Sequence, residues 1–150
     1  MMGEQKIVEN RYVVRIGPNV ISLRHVDAIW VPGLSSNEGP ERIIFYMRAT
    51  RTVQRVEWAI QAKELQKAHA ALAVLLAEQF IIFGDWMVRR NAVISAELDN
   101  DPTRRSLVRM DGGEAEQYAL QLDPESVKHL KEQLKDLREI QPNEGGFLML

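Results

Sequence analysis

Residues 40–75, PERIIFYMRATRTVQRVEWAIQAKELQKAHAALAVL, lie over residues 102–137, PTRRSLVRMDGGEAEQYALQLDPESVKHLKEQLKDL, without a gap at an offset of 62. Pro40 meets Pro102, Arg42 meets Arg104 and Phe45 meets Leu107; Val56, Trp58 and Ile60 meet Tyr118, Leu120 and Leu122. Further on, Leu65, Ala68, Leu72 and Leu75 meet Val127, Leu130, Leu134 and Leu137. In both copies the apolar spacing changes at the same point from every second residue to every third or fourth, as it does where a strand gives way to a helix. Identities are few, so the repeat is one of pattern.

The segments upstream of each copy extend the likeness. Tyr12 to Ile16 reads as a strand stopped by Gly17-Pro18-Asn19, with strand-like runs following at Val20–Leu23 and Val26–Val31. In the second half, Phe80–Phe83 is apolar, Gly84-Asp85 turns the chain, and Trp86–Val88 leads to Ala92–Ala96. Gly17 and Gly84 therefore correspond, at an offset of 67, and the second copy needs shorter connections. Loops at residues 32–41 and 98–103 precede the hairpins, and Asp111-Gly112-Gly113 supplies the glycine that a tight hairpin turn requires. Asp123 at the N-cap, Pro124 at the first helical position and Glu125 in the first turn make a well-formed start for the last helix.

These patterns predict an α+β fold of two β-meander–α units related by internal duplication, with mostly antiparallel sheet and two helices. The units run over residues 1–79 and 80–140, packed as one globular domain, and residues 141–150 form a flexible tail with an apolar end. A single pleckstrin-homology-like barrel capped by the C-terminal helix is the alternative, resting on fold-level analogy alone.

Composition narrows the function classes. Of 150 residues, 45% are hydrophobic and 27% charged, an ordinary globular balance, and the net charge of −2 does not suit a protein held to nucleic acid or anionic lipid by bulk charge. The absence of cysteine removes disulfides, thiolate metal sites and thiol catalysis, and fits a cytoplasmic location. The longest apolar stretch, residues 70–77, falls far short of the roughly 20 residues that cross a bilayer.

The two helices read differently. The second has one apolar stripe, Val127, Leu130, Leu134 and Leu137, and a solvated remainder. The first reads AHAALAVLLAEQF from Ala68, apolar on nearly every side except at His69, and is expected to be buried all round. That places it between the two sheet halves or at the contact with a second subunit, with Leu72, Leu75 and Leu76 as interface residues. The apolar tail end, Phe147, Leu148 and Leu150, either tucks onto its own core, docks on a partner or stays disordered.

Motifs for chemistry are missing. His25, His69 and His129 stand apart with no ligand spacing around them, and no nucleophile elbow, phosphate loop or dinucleotide fingerprint is present. The sequence thus points away from an enzyme, a metal or a cofactor. The most suggestive polar feature is arginine, 13 residues concentrated in predicted strands and turns. Tyr46 and Arg48 share one strand parity, and with Arg51 and Arg55 they could present charge and a π-surface to a single-stranded nucleic acid. Trp58 is assigned to the core with Val56 and Ile60. Taken together, the sequence favours a non-enzymatic binding or assembly module acting through protein–protein contacts, as a homodimer or with another protein. A nucleic-acid-binding sheet face is the alternative, and no membrane partner is expected.

Overall fold

The computed structural model describes residues 12–34, 41–49, 51–99, 105–113 and 116–137. The first unit comprises β1 (Val13–Ile16), β2 (Asn19–Ser22), a 3-10 turn (Leu23–His25), β3 (Val26–Trp30), β4 (Arg42–Arg48), β5 (Val53–Ala59) and α1 (Ala62–Leu76). The second repeats that order with β6 (Phe80–Phe83), β7 (Trp86–Arg89), a 3-10 turn (Arg90–Ala92), β8 (Val93–Glu97), β9 (Ser106–Met110), β10 (Tyr118–Leu122) and α2 (Pro124–Leu134). The fold is α+β with antiparallel sheet throughout.

The likeness reaches fine detail. Gly17 and Gly84 turn the opening hairpins at φ of 58° and 56°, values that favour glycine. The amide of Leu23 donates to the carbonyl of Tyr12, and the amide of Arg90 donates to that of Gln79. A register shift falls between Val26 and Ala28 in the first unit and between Val93 and Ser95 in the second, again 67 residues on.

Sheet pairing corrects the gapless overlay. Ile29 faces Phe45 and its counterpart Ala96 faces Val108, so Phe45 matches Val108, not Leu107, at an offset of 63. Phe45 then faces Val56 while Val108 faces Leu120, an offset of 64. Only at the helices does the offset return to 62, where Leu65 donates to Gln61 and Val127 to Asp123. Each change is taken up in a turn or loop, where chain length varies with little effect on packing.

The layers are not symmetric. Strands β5-β4-β3-β7-β6 form one five-stranded sheet, because the second unit's opening hairpin joins the first unit's meander through β3 and β7. One face of this sheet packs on α1 and the β1-β2 hairpin around Ile29, Phe45, Leu65, Leu76 and Phe80. The other packs on β8-β9-β10 and α2 around Ala28, Trp86, Val88, Met110 and Leu120. Strand β3 is covered on both faces, consistent with its run Val26-Asp27-Ala28-Ile29 being buried throughout. The three sheets do not close on one another among the described residues, so no barrel of the pleckstrin-homology type forms. No described helix is long and apolar enough to cross a membrane.

Candidate interaction surface

Helix α1 is rich in strong helix formers and is held by one stripe, Leu65, Leu72 and Leu76, on the central sheet. Of the residues predicted for an interface, Leu72 and Leu76 are therefore interior, at 3% and 1% exposure. Leu75 is 39% exposed, and Phe147, Leu148 and Leu150 lie outside the described residues. The expectation of a helix buried all round is corrected: Lys63, Lys67, Ala70, Ala71, Val74, Ala77 and Glu78 are all exposed. At 100° per residue these seven fall on the side opposite the buried leucines. Val74, at 82% exposure, marks the middle of that strip.

The second unit provides a comparison. At the helical offset of 62, Ala70, Ala71 and Val74 correspond to Glu132, Gln133 and Asp136, and Lys67 to His129, all exposed. Two helices in equivalent positions thus present opposite outer faces to solvent, one apolar at its centre and one polar.

The predicted arginine–tyrosine face is divided by the seam between the units. Tyr46 lies in a stack of rings, 6.2 Å from Trp86 and 5.8 Å from Tyr118, and Trp86 in turn stacks on Trp30 at 5.1 Å. It is half-buried there and does not stand open to a base. Arg48 donates through Nε to Asp27 at 3.0 Å and through Nη2 to the carbonyl of Asp111 at 2.6 Å. Arg51 is exposed in the β4–β5 turn, its carbonyl close against Gly113, and Arg55 lies 3.9 Å from Glu57 on the solvent side.

Asp27 forms the polar centre of the seam. It is buried at the register shift of β3, with Arg48 at 2.8 Å and Arg89 at 3.7 Å. Arg89, from the second unit, donates to the carbonyls of Val26 and Leu23 and to the side chain of Gln79. Burial lowers its affinity for its proton, which the Asp27 carboxylate offsets in part. An open cavity of about 460 Å³ lies over this cluster, bordered by Arg24, His25 and Asn91, and another of about 490 Å³ adjoins it across Arg48 toward Gln54 and Val56. Arg48 and Arg89 over the cavity are already engaged in holding the two units together, while Arg24 lies over the Tyr12 ring of its own unit.

The seam and the chain's two outer ends are built from different residues. Register places Glu97 where Trp30 stands, Arg109 where Tyr46 stands, Asn19 where Trp86 stands and Gln54 where Tyr118 stands. Four rings close the inner joint, and four polar side chains occupy the same places at the ends, with Glu97 and Arg109 paired at 3.4 Å. Sequence reasoning missed this joint because its rings come from four strands far apart in the chain.

Among the described residues no group of three or more His, Asp or Glu is placed to hold a metal ion. Burial raises the hydroxyl of Tyr118 well above the usual phenol range, with Asp27 adding to the effect and Arg48 opposing it. His69 is pulled below its ordinary value by burial, against Asp85 and a backbone hydrogen bond at Gly84. Compared with known protein families, characterised proteins and solved structures, the chain matches none.

Proposed function

We propose that this protein is a non-enzymatic assembly module that works through protein–protein contacts, with the outer face of α1 as its contact surface. The observation that carries the reading is the contrast between Ala70, Ala71 and Val74 on α1 and their counterparts in the second unit, Glu132 and Gln133 in the last turn of α2 and Asp136 just past its end. Helix α2 stays seated with a polar outer face, so an apolar one is not a requirement of the fold. Val74, at 82% exposure, forfeits most of the roughly 1.5–3 kcal/mol that full burial of such a side chain contributes, which a covering partner supplies. The run of alanines also lets another backbone approach closely.

The test is the size of the native species. In extract from cells crosslinked before lysis, the chain is expected to migrate well above its own 17.2 kDa, and Val74→Glu is expected to return it to monomer size. Migration of both forms as monomers would sink this reading.

A further inference from the structure

We infer that the occupant of the α1 strip is a second copy of this chain, docked antiparallel about a two-fold axis between residues 72 and 73. The inference rests on the reading of α1 as the contact surface and adds the partner and its orientation. With the axis there, Ala71 meets the partner's Val74, Ala70 lies between the partner's Val74 and the partner's Ala77, and Lys67 meets the partner's Glu78. A self-complementary patch is what a two-fold contact demands, since each residue must suit its mate in both directions.

Charge selects the orientation. The exposed strip carries Lys63 and Lys67 toward its start and Glu78 just past its end, with apolar residues between. Parallel pairing would set Lys67 against Lys67 and Glu78 against Glu78. Antiparallel pairing sets Lys67 beside the partner's Glu78, twice per dimer. The helix dipole adds to the case: the last turn of α1 has no basic residue, and Glu78 sits by its negative end. The partner's Lys67 supplies the cation that this end lacks.

The polar edges at β2 and β8 argue against head-to-tail growth beyond two copies. Head-to-tail growth would repeat the inner joint, laying β2 of one copy along β8 of the next as β7 lies along β3. The four-ring stack that closes the inner joint is replaced at those edges by Glu97, Arg109, Asn19 and Gln54, and Ala28 is replaced by Ser95. Polar outer faces of this kind terminate repeat arrays. A contact made by one helix face is smaller than a standard interface of about 800 Å² per partner, so micromolar affinity is expected.

The experiment uses the purified full chain, which has no native cysteine to confuse disulfide trapping. Sedimentation equilibrium from about 1 to 100 μM should show a monomer–dimer equilibrium and no larger species. Lys67→Glu alone should weaken it roughly 10-fold, as should Glu78→Lys alone, and the double reversal should restore it to within about three-fold. Under mild oxidation, Lys67→Cys mixed with Glu78→Cys should give a disulfide-linked dimer, while neither variant should do so alone. A dimer trapped by Lys67→Cys alone means a parallel pair and overturns the orientation. A purified chain that stays monomeric at 100 μM, while its large species in extract still depends on Val74, means a different protein occupies the strip. That outcome overturns this inference and leaves the contact surface standing.

Discussion

Helices α1 and α2 occupy equivalent positions, each closing its own unit and each packed near the opening hairpin of that unit, yet they are stabilised by different means. Helix α2 is capped by Asp123, whose side chain accepts from the Ser126 amide at 3.1 Å and from the Ser126 hydroxyl at 2.6 Å, and it begins with proline. Helix α1 has Gln61 at its N-cap with no side-chain hydrogen bond there, and it relies on alanine and leucine over a longer span. The outer faces diverge further, Val74 against Asp136. The two units share an element order, though α1 lies on one face of the five-stranded sheet and α2 on the other beside the three-stranded sheet, so a polar outer face is compatible with a helix that closes such a unit. The seam teaches the same lesson in reverse: rings fill the joint that must close, and polar residues fill its copies at the free edges.

The hardest test of that comparison is at the joint. Trp86→Ala removes a side chain that is 1% exposed and stacked on both Trp30 and Tyr46, and is expected to cost about 3–5 kcal/mol in urea unfolding. Asn19→Ala at the equivalent place on β2 is expected to change stability by less than about 1 kcal/mol. Equal losses at the two positions would mean that the first hairpin is sealed as tightly as the second, and the account of polar ends would fail.

The turn glycines come next. A Cβ at Gly84 would sit 2.5 Å from the Ser126 hydroxyl and 2.8 Å from its Cα, whereas one at Gly17 would meet nothing nearer than the Ile60 methyl at 3.9 Å. Both positions carry a positive φ, so Gly17→Ala should lose about 1 kcal/mol from backbone strain alone. Gly84→Ala adds a clash with helix backbone and should lose more than twice as much, by about 2–3 kcal/mol. Matching losses would show that α2 is no more tightly seated on its hairpin than α1.

Much of this architecture is legible in the sequence, and what is not has physical causes. The change of period at Ile60 and Leu122, the paired glycines and the Asp123-Pro124 start are local signals, set by backbone geometry within a few residues. Strand register is not local: Leu107 and Val108 are both apolar, so alternation alone cannot say which faces inward. The parity of Tyr46 is legible, opposite to Phe45 and Met47, but that its side of the sheet is covered by the second unit depends on β3 pairing with β7. Composition shows that α1 is apolar around most of its circumference. It cannot distinguish burial by the chain's own sheet, which covers Leu65, Leu72 and Leu76, from burial by another molecule at Val74.

Acidification provides a gentler probe, since the counterpart of His69 on α2 is Lys131. Burial holds the folded-state affinity of His69 for a proton below that of the unfolded chain, whose value is 6.5. The unfolded state therefore takes up the proton first, and stability should decline as pH falls through about 6.5, with no change above it. His69→Gln should flatten that part of the profile in urea titrations between pH 7.5 and 5.5. A profile unchanged by the substitution would place the pH sensitivity elsewhere.

The smallest effect on stability carries the most weight for function. Ala70→Glu with Val74→Asp gives α1 the residues that stand at the equivalent sequence places of the second unit, Glu132 on α2 and Asp136 just past it, on a face opposite Leu65, Leu72 and Leu76. Two exposed substitutions of this kind should leave the unfolding free energy of the monomer within about 0.5 kcal/mol, read at a concentration too low for association. The same pair should abolish self-association at high concentration, because four carboxylates per dimer would replace the apolar centre of the contact. If the grafted chain instead lost several kcal/mol as a monomer, the strip would be holding this chain's own fold together. The contrast with α2 would then describe two ways of packing a helix and say nothing of a partner.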